Sequence, residues 1–331
     1  MNPSSQPPPA CSIVIVSWNV RDLLRACLAS LPAAANAPAY GADHRRTQDA
    51  ERRTEVIVVD NGSTDGSVAM VRAEFPGVRV LAETVNHGFA HGNNLGIAAS
   101  RGRLVLLLNP DTIMEPGSLV ALAHYLEGHP AVGLVGPRLL NPDGSPQSSR
   151  RRFPTWGTGL IESTPLQPLL PRLDLLRRYY VLDRADDEAQ PVDWLSGACM
   201  LARRVALAQV RGFDPGYFMY SEELDLCRRL RAAGWEIGYE PAARVIHYGG
   251  QSSDQDIPAR HIRFNQAKLR YFARWHGRGT AAMLRLWLCA LYAWQGGLEA
   301  GKWLLGHRRA LRRARMALYG QVVRALWQAD G

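Results

Sequence analysis

Four short runs of aliphatic residues limit what this chain of 331 residues can fold into. "SIVIVSWN" (12–19), "EVIVVDN" (opening 55–67), "VRVLAET" (78–84) and "RLVLLLN" (103–109) are dense in Val, Ile and Leu and give way to turn residues. Runs this short and this apolar predict strands covered on both faces, which is the pattern of a parallel sheet. Between the first two, "VRDLLRACLASL" (20–31) carries apolar residues at helical spacing. Alternating strand and helix gives an α/β fold with an open, mostly parallel sheet flanked by helices. The polar stretch 33–54 reads as an inserted surface loop, and "NHGFAHGNNLGIAAS" as a glycine-rich segment separating the third and fourth strands.

Beyond Pro110 the pattern loosens into a helix near 117–127, a strand at "VGLVGP" and a Pro- and Arg-rich connector over about 141–192. "VDWLSGACMLARRVALAQV" reads as a strand with a helix, "GFDPGYFMYSEELDLCRRLRAAGW" as a turn with a helix, and "EIGYEPAARVIHYGG" as strand-like. There is no internal repeat. The five cysteines are scattered without C-x-x-C spacing, which argues against a disulfide framework or a zinc site and fits a reducing cytoplasm. Residues 1–11 have neither the positive flank nor the apolar core of a secretory signal and read as a disordered lead-in.

Several residues carry chemistry, and each has an ordinary structural reading beside it. Asp60 ends a buried strand, where an open α/β sheet binds ligands, though Asp and Gly are also common turn residues. Gly88 and Gly92, with the amides of Asn86, Asn93 and Asn94, allow close backbone approach to a ligand. The spacing matches neither the dinucleotide fingerprint nor the P-loop. "LLLNPDT" places Asp111 just past a strand end, suited to holding a cation against a phosphate. Glu222, Glu223 and Asp225 either complement the dipole of a helix N-terminus or do acid–base work. Trp194 reads as pocket wall or core, and His247 as ligand or structural histidine.

Taken together, "SIVIVSWN", "VIVVDNGSTDGS", "NHGFAHGNNLG", "LLLNPDT", "VDWLSGACMLARR", "GFDPGYFMYSEELDLCRRLRAAG" and "VIHYGGQSS" resemble family 2 glycosyltransferases of the GT-A fold, and within them bacterial rhamnosyltransferases that use dTDP-rhamnose. The resemblance implies an inverting transfer of a sugar, rhamnose in that branch, to a hydroxyl of a glycan or lipid-linked acceptor in cell-surface polysaccharide synthesis. It implies that Ser17, Asp60, Asn86, Gly88, Asn94 and Asp111 serve the nucleotide. Asp111 would be the surviving carboxylate of the Asp-x-Asp signature, binding Mg²⁺ or Mn²⁺ with His247, and Asn109 in place of the first Asp lowers the charge of that site. Glu223 would be the base, Glu222 its substitute, with Asp225 in the same acidic cluster. Trp194, Ser196 and Gly197 would line the sugar and acceptor pocket.

The matching segments stop near residue 253, which sets the expected organisation. Residues 12–279 form the catalytic domain, with 12–115 holding the nucleotide-sugar and 116–279 the acceptor, and 280–331 form a basic amphipathic helical tail. The tail from residue 281 holds +6 of the formal +9 charge. Its apolar run 281–294 breaks at Gly296 and Gly297, short of the ~20 residues that span a bilayer. Arg308 to Arg315 and the apolar series Leu318 to Trp327 then predict peripheral attachment to the inner face of the membrane, with no nucleic-acid partner. Oligomeric state is not legible. Three other readings fit parts of the chain. A UDP-hexose donor in the same fold is one. A sugar-phosphate nucleotidyltransferase is another, but the basic glycine-rich loop it needs is missing after the first strand. The third is a non-catalytic module binding membrane or nucleic acid through the basic tail.

Overall fold

The computed structural model describes residues 9–36, 54–170, 173–250 and 255–328. The chain divides into two compact units. One draws on Met1–Phe153, Asp183–Phe218 and Glu222–Ser252, the other on Pro154–Leu182, Met219–Ser221 and Ser253–Gly331.

The first unit is built on one sheet. Strands β1 (Cys11–Ser17), β2 (Thr54–Asn61), β3 (Arg79–Glu83) and β4 (Leu104–Leu108) are parallel neighbours in the order β3-β2-β1-β4. The sheet continues from β4 through β11 (Cys199–Arg203), β6 (Val132–Leu140) and β12 (Glu236–His247) to β5 (Thr112–Met114), with antiparallel pairing at β4–β11, β11–β6 and β12–β5. All residues of β1 and β4 are buried, as their unbroken apolar runs require. Because β1 lies between β2 and β4, the chain leaves it in opposite directions on its two sides. That reversal opens a crevice at the carboxyl ends of the strands.

Helices α1 (Arg21–Asn36), α2 (Ser67–Glu74), α3 (Phe89–Ala99), α4 (Ser118–Gly128) and α8 (Glu222–Ala232) belong to this unit. Two further short pairs matter at the site: β7 (Pro146–Gln147) on β6, and β8 (Arg150–Arg151) against β10 (Trp194–Leu195). The expected arrangement holds with local differences. Cys11 is already the buried first residue of β1 rather than part of a lead-in. The first helix runs past Leu31 to Asn36, since Ala34 and Ala35 extend its buried face; the rest of the expected insertion, 37–53, lies outside the described residues. The glycine-rich segment is largely helix α3. A Cβ on Gly92 or Gly96 would come within 2.7 or 2.2 Å of Val16 or Val14 side chains, so these glycines let the helix press on β1.

The second unit is helical: α5 (Trp156–Ile161), α6 (Asp174–Tyr179), α9 (Ile257–His276), α10 (Arg278–Leu304) and α11 (Arg309–Gln328). It starts well before residue 280, because α9 packs on both α10 and α11 and α5 packs on α10. Helix α10 does not break at Gly296 and Gly297. Each costs about 1 kcal/mol of helix propensity. Packing outweighs this: Leu291 and Glu299 are buried on either side of the pair, and Glu299 binds Arg312 of α11 at 2.7 Å. The apolar series on α11 is not free either, as Val322 and Leu326 are fully buried and only Trp327 stays well exposed.

Candidate active site

Parallel pairing sets Ser17 opposite Asp60 and Ile15 opposite Leu108, so the ends of β1, β2 and β4 share one edge of the sheet. Asp60 uses one carboxylate oxygen to accept the Ser63 N–H at 2.9 Å, which fixes the turn. Its other oxygen is buried without a partner, as are Ser17 Oγ, Asn61 Oδ1 and Asn109 Oδ1. A buried polar atom left unpaired costs about 1–3 kcal/mol. Four of them at one strand-end edge mark a place where a polar ligand completes the structure. Asn61 Nδ2 donates to Gly88 O at 3.0 Å, and Asn86 Oδ1 accepts from Gly88 N at 2.9 Å. Gly88 sits at φ 94°, where a Cβ would come within 2.4 Å of Phe218 O. Asn86 and Gly88 therefore shape the loop that borders this edge. Asn94 does not face a ligand: both ends of its amide are bonded to the Phe213 backbone, at 2.9 Å each.

A second station lies where β5 meets β12. His247 is the register partner of Thr112, which places its Nε2 3.4 Å from Asp111 Oδ1. His247 Nδ1 lies 2.7 Å from Gln147 Oε1. Gln147 uses its amide nitrogen on Asn141 Oδ1 and His247 O, so its oxygen accepts the Nδ1 proton and the Nε2 lone pair turns to Asp111. A carboxylate and an imidazole nitrogen side by side, with Asn109 Oδ1 unpaired nearby in sequence, suit a hard divalent cation. Among the described residues no group of three or more His, Cys, Asp or Glu could hold a metal alone. The remaining ligands must come from phosphate oxygens and water, as is usual for Mg²⁺ with nucleotides.

The third station is the start of α8. Tyr220 and Ser221 ahead of it take left-handed conformations, φ 72° and 60°, which non-glycine residues adopt at a cost. Glu222 is 5% exposed, and Oε2 of both Glu222 and Glu223 is buried without a partner. Burial pushes the Glu222 carboxyl well above the usual range, and the neighbouring Glu223 charge adds to this. Burial also raises Glu223, against which backbone N–H groups of Glu223, Leu224 and Gly197 and the charge of Arg151 favour its ionised form. Burial thus raises both carboxyls, and the groups that favour a charge, the backbone N–H donors and Arg151, lie on the Glu223 side. A Cβ at Gly197 would touch the Glu223 side chain at 3.5–3.7 Å, so Gly197 keeps that face open. Arg151 pairs with Trp194 across β8–β10 and lies over its ring, Trp194 Nε1 donates to Arg152 O at 2.9 Å, and the Ser196 N–H donates to Ser149 O.

Asp225 has another task. It is fully buried and binds Arg229 at 2.7 Å, and Arg229 in turn donates to Val210 O and Gly212 O, tying α8 to the turn before it. Asn61, Gln147 and Arg151 were not singled out in the sequence. The last two sit in the connector, on strands two residues long that leave no periodic signal.

Comparison with known proteins matches this architecture. The model of the glycosyltransferase-like family 2 covers residues 7–276. The chain is 35% identical over 257 residues, 70% of this chain and 82% of the relative, to the N-acetylglucosaminyl-diphospho-decaprenol L-rhamnosyltransferase of Mycobacterium tuberculosis. It is 29% identical over 198 residues, 57% of this chain and 71% of the relative, to the rhamnosyltransferase WbbL of Escherichia coli K12. Among solved structures, the mannosyltransferase PcManGT from Pyrobaculum calidifontis, in complex with GDP-Man and Mn²⁺, shares the fold: TM-score 0.54, 18% identity, 98% of this chain and 89% of that one. The strand-end edge of the sheet, the glutamate pair and the family match over most of the chain agree: this is a hexosyltransferase of glycosyltransferase family 2, with the GT-A fold.

Proposed function

We propose that the enzyme transfers L-rhamnose, with inversion, from dTDP-rhamnose to a hydroxyl of N-acetylglucosamine carried on a polyprenyl diphosphate, in cell-surface polysaccharide assembly. The observation that supports the reading is the placement of two sets of carboxylates: Asp60 and Asp111 at strand ends, and the buried Glu222–Glu223 pair at a helix start. The rhamnosyl donor and the lipid-linked acceptor are supported by the names of the two relatives. Asp60 accepts a hydrogen bond from the base, and Asn86 to Gly88 close over the nucleoside. A divalent cation at Asp111 and His247 supplies positive charge against the diphosphate. Glu223 takes the proton of the attacking hydroxyl while the new bond to the anomeric carbon forms and the bond to the diphosphate oxygen breaks. Glu222, protonated, keeps the pair from carrying two charges.

Attachment to a membrane surface is part of this proposal, and its site is α10 rather than α11. Met283, Leu286, Trp294, Leu298, Leu304 and Leu305 are exposed, the last by 86%, and fall within an arc of about 120° on one helix. Lys302, Arg308 and Arg309 follow this face with positive charge. Among the described residues no helix is long and apolar enough to cross a membrane.

The test is a panel of dTDP-rhamnose, UDP-glucose, UDP-galactose and UDP-N-acetylglucosamine with a GlcNAc-diphospho-lipid acceptor, with and without Mn²⁺. Transfer from dTDP-rhamnose alone, lost in EDTA, is expected. Transfer only from a UDP-sugar overturns the donor assignment, and full activity in EDTA overturns the metal. Binding to anionic liposomes should be lost in Leu286→Glu with Leu305→Glu, and unchanged binding overturns the α10 attachment.

A further inference from the structure

The helical unit contains a pocket of ≈ 650 Å³ that the transfer chemistry does not use. Its wall includes Tyr220, Phe264, Leu288, Leu291, Tyr292 and Leu318, with Tyr220 and Phe264 edge to face at 5.7 Å. Three polar groups of the wall are bonded to one another. Tyr292 OH meets Asn265 Nδ2 at 3.0 Å and His261 Nδ1 at 3.2 Å. The wall is therefore mixed, with an aromatic and leucine-lined part that suits a hydrocarbon chain and a polar part that suits a charged head.

The pocket also has charge at its edge. Arg260 and Arg315, both exposed, are among its lining residues. Arg315 shares the single carboxylate of Glu299 with Arg312 and Lys302, at 3.5, 2.7 and 3.7 Å, so this cluster keeps a net positive charge. A cavity with leucine and aromatic side chains and two guanidinium groups in its wall matches an apolar chain ending in phosphate. The helix that lines it through Leu288, Leu291 and Tyr292 is α10, which also carries the exposed apolar stripe.

We propose that this pocket receives the first isoprene units of a polyprenyl diphosphate, with Arg260 and Arg315 holding the diphosphate. The assignment rests on the reading above that the acceptor is lipid-linked. It places recognition of the carrier in the helical unit, apart from the residues that bind donor and move the proton.

Calorimetry on the full chain tests it without any sugar transfer, using geranylgeranyl diphosphate, geranylgeraniol and short-chain phosphatidylglycerol as probes. The diphosphate should bind the wild type, with affinity lowered about tenfold in Leu318→Trp, which fills the cavity, and about tenfold in Arg260→Gln, a surface change that leaves packing intact. Geranylgeraniol should bind more weakly than the diphosphate. No binding by the wild type, equal affinity in wild type and both variants, or phosphatidylglycerol competing as well as the prenyl diphosphate overturns the proposal. Binding as expected, in an enzyme that transfers no sugar to the GlcNAc-diphospho-lipid, supports the pocket and refutes the functional reading instead.

Discussion

His247 Nε2 stands 3.4 Å from Asp111 Oδ1 because the β5–β12 ladder sets His247 opposite Thr112, and because Gln147 holds the other ring nitrogen at 2.7 Å. One histidine is thereby fixed in position by a strand register and in tautomer by an amide two short strands away.

Gln147→Leu removes the acceptor for Nδ1–H while leaving Asp111 and His247, the proposed ligands, in place. Such partners of metal-bound histidines are worth about 10–100-fold in metal affinity. Mn²⁺ titration in the presence of nucleotide should show a loss in that range, with an unchanged melting temperature. Asp111→Asn should remove the dependence on divalent ions altogether. Equal Mn²⁺ affinity in Gln147→Leu and the wild type would show that His247 is not a ligand.

Glu222 gives a pH signature. Its carboxyl is raised in the folded chain by burial and by Glu223, so the folded state holds a proton that the unfolded chain releases near the ordinary carboxylate value. Its contribution to stability is complete below that value and declines as pH rises towards the raised one. Glu222→Gln should therefore leave unfolding free energy near pH 4 unchanged and raise it progressively towards pH 8. Denaturant melts across that range check this, and a gain that is the same at every pH contradicts the assignment of the proton to Glu222.

Asp225→Ala leaves the guanidinium of Arg229 beside a lost partner in the interior. Breaking a buried ion pair in this way costs about 3–5 kcal/mol. Urea unfolding should show a loss of that order. Asp225→Asn, which keeps a hydrogen-bond acceptor, should lose less stability and keep most activity. Abolished transfer in a well-folded Asp225→Asn chain would return Asp225 to the catalytic group.

The sheet was legible because β1, β2 and β4 are buried on both faces and cannot disguise their runs. Asp60 and Asp111 were legible for the same reason, as polar residues where such runs stop. What escaped depended on contacts distant in sequence. Asn94 has the residue type of a ligand-binding amide, yet its partner is Phe213, 119 positions away. Asp225 looked like its neighbours Glu222 and Glu223, but a helix turns about 100° per residue and points it at Arg229 instead. The apolar series of the last helix read as a free face, but Val322 and Leu326 are buried because burial there is decided by which helices pack together.

Donor binding and proton removal are assigned to different carboxylates, and Glu223→Gln separates the two. Affinity for dTDP-rhamnose with Mn²⁺ and the single-turnover transfer rate should be measured on the same preparation of wild type and variant. Unchanged donor affinity and a rate lower by about 10²–10⁴ are expected. A parallel loss of donor affinity, or a rate close to the wild type, would contradict this assignment.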